Sequence, residues 1–264
     1  KNGKLLSKPE VIKGKIIEKI KIRRKVLNSL ITQEIILYKE DPMVYFKTTV
    51  DWKEKECVLK VSFPFNIHTD YATYDIQFGN IKRSTHRNTL YEHGKFEVPA
   101  HKWMDLSEGY FGISLITDSK YGYSVKENVV RLTLLRSPSS PDPSGDSGIH
   151  EFSYALYPHI GSWQEVDIPK VSYQFNNPPR IFYGKVKGEF EKGDILQMRE
   201  ISKIPKGINV IVETIKISEK SDGVILRLYE CKNSRGKINL KFSIPGLLFK
   251  KVYLCNLMEE HISL

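Results

Sequence analysis

The chain has 264 residues, 27% of them charged and 40% hydrophobic. That is enough apolar material to bury the core of one large or two modest domains, and too much for a disordered chain. Apolar stretches such as Gly246 to Met258 are cut by Lys250 and Lys251, so no membrane-spanning helix is predicted and a soluble chain is expected. Cys57, Cys231 and Cys255 are an odd number without a C-x-x-C pair, which points away from a disulfide framework or a zinc knuckle and towards a reducing, cytoplasmic setting. The first residue is Lys1, and the chain is read as a piece of a longer one.

A net charge of +10 invites a nucleic-acid reading, but the charge is unevenly spread. Residues 1 to 26 hold ten Lys or Arg against Glu10 and Glu18, whereas the other 238 residues carry 31 basic and 29 acidic side chains. Within the basic stretch, Lys19-Ile20-Lys21-Ile22-Arg23 alternates with period two, placing isoleucines on one strand face and cations on the other. A solvated outer strand face that also resists edge pairing is the expectation, against the alternative of a phosphate-binding stripe, with no nucleic-acid partner.

From there the chain is a succession of short segments rich in β-branched and aromatic residues. They run over residues 45–52, 57–67, 71–79, 110–117, 129–136 and 151–158, then 208–217, 223–230 and 237–244. The only helix predicted is a short one around Trp103 to Glu108, because no stretch of twelve residues holds a helical apolar stripe. Ser137 to Gly148, with three prolines, five serines and two glycines, is an exposed loop too long for a hairpin turn. A second composition shift, from Gly161 to Pro179, sets a domain boundary near residue 170. The fold class is therefore all-β: a large β-domain over residues 1–170, then a smaller Ig-like β-sandwich over 171–264.

The usual catalytic signatures are missing. The seven histidines show no H-x-E, H-x-x-x-H or H-E-x-x-H spacing, so no local metal pair is predicted. There is also no G-x-S-x-G and no phosphate-binding glycine loop. Asp118, Asp142 and Asp146 read either as turn-capping carboxylates or as hydrogen-bonding partners of sugar hydroxyls. Tyr121, next to Gly122 and Tyr123, reads either as a sugar-stacking ring or as a packing residue.

Several longer words narrow the field. VDWKEKECVLKVSFPFNI, YDIQFGNIKRSTHRNT, KFEVPAHKWMDLSEGYFGISLITDSKYGYSV, VRLTLLRSPSSPDPSGDSGIHEFSYALYPHIGSW and VETIKISEKSDGVILRLYE follow one another in order. In that order they resemble the C-terminal β-region of glycoside hydrolase family 38 α-mannosidases, in the prokaryotic and cytosolic-vacuolar branch. Thr117 stands where the family often has asparagine, and Gly145 where alanine is common.

The resemblance implies a supersandwich-like large domain and a small terminal sandwich, without the N-terminal α/β catalytic domain. That domain would carry the divalent metal, zinc by resemblance, and the aspartate nucleophile of a retaining hydrolysis of terminal α-linked mannose. No catalytic residue or metal ligand of the family then lies in this chain. The implied partners are the N-terminal catalytic domain of the same parent chain and a mannose-containing glycan, and self-association is expected where the missing domain docks. Other branches carry an Arg-Arg pair before a loop with paired aspartates, one arginine reaching the sugar site. Leu135-Arg136 and Pro141-Asp142 align with that pattern, so Arg136 is implied to bind substrate, against the alternative that it pairs with Asp142 or Asp146 to pin the loop. A free-standing carbohydrate-binding module is the rival reading.

Overall fold

The computed structural model describes residues 3–181, 183–184, 196–200, 209–220, 222–242 and 251–262. It divides into two compact units, Lys1–Pro178 and Pro179–Leu264. In the first, the strands are β1 (Lys4–Leu5), β2 (Glu10–Lys13), β3 (Ile17–Val26), β4 (Ser29–Tyr38), β5 (Val44–Trp52), β6 (Val58–Pro64), β7 (Tyr71–Ile76) and β8 (Gly79–Ser84). Helix α1 (Leu90–His93) precedes β9 (Val98–Pro99), β10 (Trp103–Glu108), β11 (Phe111–Thr117), β12 (Gly122–Lys126), β13 (Val129–Arg136), β14 (Gly148–Ile160) and helix α2 (Ile168–Asn176).

Ten of these strands form one sheet in the order β1-β3-β4-β5-β14-β11-β10-β7-β8, with β2 also on β3, and β6-β13-β12-β9 form a second. Every pairing is antiparallel. The main core lies between the sheets. Phe46, Val50, Met104, Leu106, Leu115 and Tyr154 point in from the large sheet and Tyr123, Val130 and Leu132 from the small one. Neighbours in sequence point the other way, as period-two side chains must. Trp103, Ile116 and Ala155 meet Trp163, Ile168, Val171 and Phe175, so α2 covers the back of the large sheet.

Two expectations are corrected here. Trp103 to Glu108 is strand β10, not a helix. Met104 and Leu106 enter one core and Trp103 the other, so both faces are buried, and the alternation of Met104 and Leu106 with Asp105 and Ser107 is that of a strand and not of a helix. The boundary near residue 170 falls inside α2. Because α2 packs on β10 and β11, the first unit runs on to Pro178.

The N-terminal strands behave differently. β3 is an interior strand, paired with β4 on one side and with β1 and β2 on the other, so it does not serve as the charged edge that its pattern suggested. Its alternation is real, yet Ile17 and Ile20 stay exposed, as do Leu5, Val11, Ile12 and Ile16 around them. Lys19 meets Glu34 of β4 at 3.2 Å.

In the second unit, β15 (Leu196–Glu200) pairs with β18 (Ile238–Phe242), and β16 (Val210–Ile217) with β17 (Val224–Glu230). Lys216 bridges Glu219 at 2.8 Å and Glu259 at 2.9 Å. Hydrogen bonds from Lys216 and then Ser218 lower the Glu259 carboxyl to about 2.

The two-sheet core yields a direct test. Leu132 is fully buried between Tyr123 and Val61 in register, so Leu132→Ala is expected to cost about 2–5 kcal/mol in denaturant unfolding. Ile149→Ala, at a 75% exposed position, is expected to stay within about 0.5 kcal/mol.

Candidate functional site

The loop from Ser137 to Ser147 leaves the end of β13 and returns at the start of β14, closing one end of the sandwich. Its base is tied down by buried groups. The Trp52 indole donates to Ser137 Oγ, Glu56 N donates to Ser137 O at 2.8 Å, and Ser137 N donates to Cys57 O at 3.0 Å. Gly145 sits at φ +54°, where a Cβ would come within 3.0 Å of Pro138 O, so a side chain there is strained by backbone and neighbour alike.

The five residues singled out from the sequence separate on inspection. Asp146 accepts the Arg136 backbone N–H at 2.9 Å, while its own carbonyl meets His150 Nε2 at 2.6 Å. Asp142 closes an Asx turn, accepting Ser144 N at 2.9 Å and Ser144 Oγ at 2.7 Å. Those two bonds, the hydroxyl's first, hold its carboxyl below the usual carboxylate range. Asp118 accepts Ser153 N at 2.7 Å and Ser119 Oγ at 2.8 Å, joining the β11 end to β14.

Lys120 lies 4.3 Å from the centre of the Phe152 ring. Burial pushes its ammonium down, and the charges of Asp118 and Asp146 pull it back up. Tyr121 is exposed and meets His101 edge-on at 5.9 Å, whereas Tyr123 is a core residue. Arg136 is exposed, and among the described residues its guanidinium makes no ion pair with Asp142 or Asp146. The loop is pinned through the Arg136 backbone instead. The structure thus gathers Arg136, Asp118 and Asp146 at one end, with Asp142 out along the loop and Tyr121 turned to His101.

One buried cluster has no counterpart in the sequence motifs. Asp105 Oδ2 accepts Ser114 Oγ at 2.7 Å and lies 2.8 Å from His159 Nε2; His159 Nδ1 faces Gly161 O at 3.0 Å. Gly112 makes room for it, since a Cβ there would stand 2.3 Å from His159 Cε1. Both serine hydroxyls of this cluster, Ser107 and Ser114, bond the carboxylate and not the imidazole, so no nucleophile is activated. The cluster is structural, filling the back of the sheet beside α2. Among the described residues no three His, Cys, Asp or Glu side chains gather as a metal site, and no helix is long and apolar enough to cross a membrane.

The family model for the glycosyl hydrolases family 38 C-terminal domain matches residues 5–144. The chain belongs to that family. A second model, the glycosyl hydrolases family 38 C-terminal beta sandwich domain, matches residues 209–263. Alpha-mannosidase 2C1 of Homo sapiens is 39% identical over 236 residues, 88% of this chain and 22% of that protein. Alpha-mannosidase of Saccharomyces cerevisiae is 40% identical over 211 residues, 79% of this chain and 18% of that protein. The chain therefore spans about a fifth of the length of the curated relatives it matches. An alpha-mannosidase structure from Enterococcus faecalis superposes with a TM-score of 0.81, at 14% identity, covering 99% of this chain and 33% of that one. At that identity the likeness speaks for the fold.

The loop geometry carries two expected outcomes. Asp146→Ala should free the Arg136 amide and cost about 1 kcal/mol, read as faster hydrogen exchange at Arg136 and a small loss in denaturant midpoint. The Asp142 carboxyl is depressed in the folded chain, so its contribution is present above the unfolded value and lost as pH falls. The protection factor of the Ser144 amide should hold from pH 7 to about 5 and drop below about pH 4.

Proposed function

We propose that this chain is the C-terminal region of an α-mannosidase, supporting a catalytic domain and lining one side of its cleft with the Ser137–Ser147 loop. The observation that carries the reading is the 39% identity over 88% of the chain to a protein named Alpha-mannosidase 2C1, of which it matches 22%. On this reading the parent enzyme cleaves terminal α-linked mannose from a glycan with retention, using two carboxyl groups as nucleophile and acid/base. Both belong to the N-terminal catalytic domain of the parent chain, as does its divalent metal, taken to be zinc. The described residues offer no ligand set for one.

Arg136 is the substrate-facing residue of this region. Its guanidinium stands at a strand end beside the loop, exposed and outside the ion pairs of the described residues. It presents five donors in a fixed plane to vicinal hydroxyls or to a catalytic carboxylate, a geometry lysine lacks. Asp118, Asp142, Asp146 and Tyr121 come second, since each aspartate already accepts hydrogen bonds within the loop end. A cytoplasmic, reducing setting fits the three cysteines, none of which forms a disulfide among the described residues.

Aryl α-mannoside hydrolysis tests this on two chains, the 264 residues alone and the same residues joined to the N-terminal region that the relatives carry. The short chain should be inactive and hold no stoichiometric zinc, and the joined chain should turn over substrate. In the joined chain, Arg136→Lys and Arg136→Ala should each lower kcat/KM by about tenfold or more, roughly 1.4 kcal/mol of transition-state stabilisation, with little change in Tm. Full activity with an earlier melt would remove Arg136 from the cleft.

A further inference from the structure

A concave surface lies between the end of β8, the α1 turn and β12. It is a shallow, partly enclosed cleft lined by Arg83, His86, Arg87, Glu92 and Lys95 over a base that includes Tyr74 and Tyr123. Arg83 places its guanidinium carbon 4.8 Å from the Tyr74 ring centre. Its Nη1 is buried there without a hydrogen-bond partner, and so is His86 Nδ1. A buried guanidinium nitrogen without a hydrogen-bond partner is unusual, because buried polar groups are almost always paired.

The one carboxylate lining the cleft makes no ion pair with Arg83 among the described residues. Glu92 forms the capping box of α1 with Thr89. Its Oε2 accepts Asn88 N at 3.1 Å, Thr89 N at 3.1 Å and Thr89 Oγ1 at 3.2 Å. It stands 3.4 Å from His86 Nδ1 without making a hydrogen bond to it. Leaving His86 out of the count, Arg83, Arg87 and Lys95 leave the cleft two positive charges in excess of Glu92. Burial lowers the Arg83 guanidinium from its ordinary value, yet an arginine remains charged throughout the physiological range. Arginine and lysine offer only donors, so the missing partner is an acceptor, and a negative one.

We propose that the Arg83–His86–Arg87–Lys95 cleft binds an oxyanion head group, a carboxylate or a phosphate. The planar guanidinium of Arg83 gives a carboxylate or phosphate oxygen its charge-assisted hydrogen bond, and Lys95 and Arg87 complete the field from the rim. A neutral sugar would leave the charge excess unanswered. A merely solvated basic surface would not bury Arg83 Nη1. The site is independent of the mannosidase reading, which stands or falls with the loop at the β13–β14 end.

The test titrates the 264-residue chain with inorganic phosphate, acetate and methyl α-mannoside, each against sodium chloride of matched ionic strength. The readouts are calorimetry and the Arg83 Nε–Hε resonance. Saturable binding of phosphate or acetate is expected, with a dissociation constant of about 1 mM or tighter, and the anion that saturates assigns the head group. Arg83→Gln should weaken it by ~10-fold or more, and Lys25→Gln, in the basic β3 strand, should leave it unchanged. Should Arg83→Gln fail to fold by circular dichroism, Arg87→Gln at the rim serves in its place, with a smaller loss expected. Binding no stronger than chloride would overturn the proposal. So would equal weakening by Lys25→Gln, or saturation by the mannoside alone.

Discussion

The pairing of β14 with β5 and β11 is the constraint on which the rest of the first unit depends. Thirteen residues long, β14 aligns Phe46 with Tyr154 and Leu115 with Leu156 across the ladder. Phe152 and Tyr154 then enter the sandwich, while Ala155, Tyr157 and His159 face the back of the sheet. A one-residue slip would exchange those faces. It would send the Tyr154 ring out of its 4.9 Å stack on Phe46 and pull His159 away from Asp105. Two different buried surfaces therefore enforce one register, and that register also fixes where the loop before Gly148 must end.

Much of the fold was legible because most strands have one wet face. Each of the nine segments read as strands holds a strand among its described residues, and β13 shows why: Val130, Leu132 and Leu134 are buried while residues between them are less so. The reading failed where burial was two-sided or brief. β10 is six residues long and buries its polar Asp105 as well as its apolar side chains, and α2 is only nine residues long, held by the contacts of Ile168, Val171 and Phe175 with the sheet more than by a sustained apolar stripe. The short elements β1, β2, β8, β9 and β12 carry little local signal, and long-range pairing decides them.

The loop end was legible in outline and not in its bonding. The proline-serine composition marks an exposed loop, but whether Asp146 would reach a guanidinium or a backbone amide depends on where the chain turns at Gly145, which sequence spacing does not reveal. The Asp105–His159 pair was invisible for a related reason. Its members are 54 residues apart and become neighbours only through the β10–β11–β14 ladder. The Arg83 cleft was equally hidden within IKRSTHRNT, a word that reads as strand end and turn until Tyr74 is placed beneath the guanidinium.

The N-terminal strands show what a single chain leaves open. β1 to β3 extend the large sheet past the reach of the four-stranded sheet, and apolar side chains stay exposed there. A second exposed set, Leu90, Tyr91 and Phe96, surrounds α1. The central claim is that the Ser137–Ser147 loop closes one side of a mannosidase cleft. Hydrogen–deuterium exchange tests it most directly, comparing the 264-residue chain with the same residues joined to the N-terminal region that the relatives carry. The account predicts strong added protection across residues 137–147 in the joined chain, with the buried β10–β11 ladder unchanged. Identical exchange of the loop in both chains would contradict it.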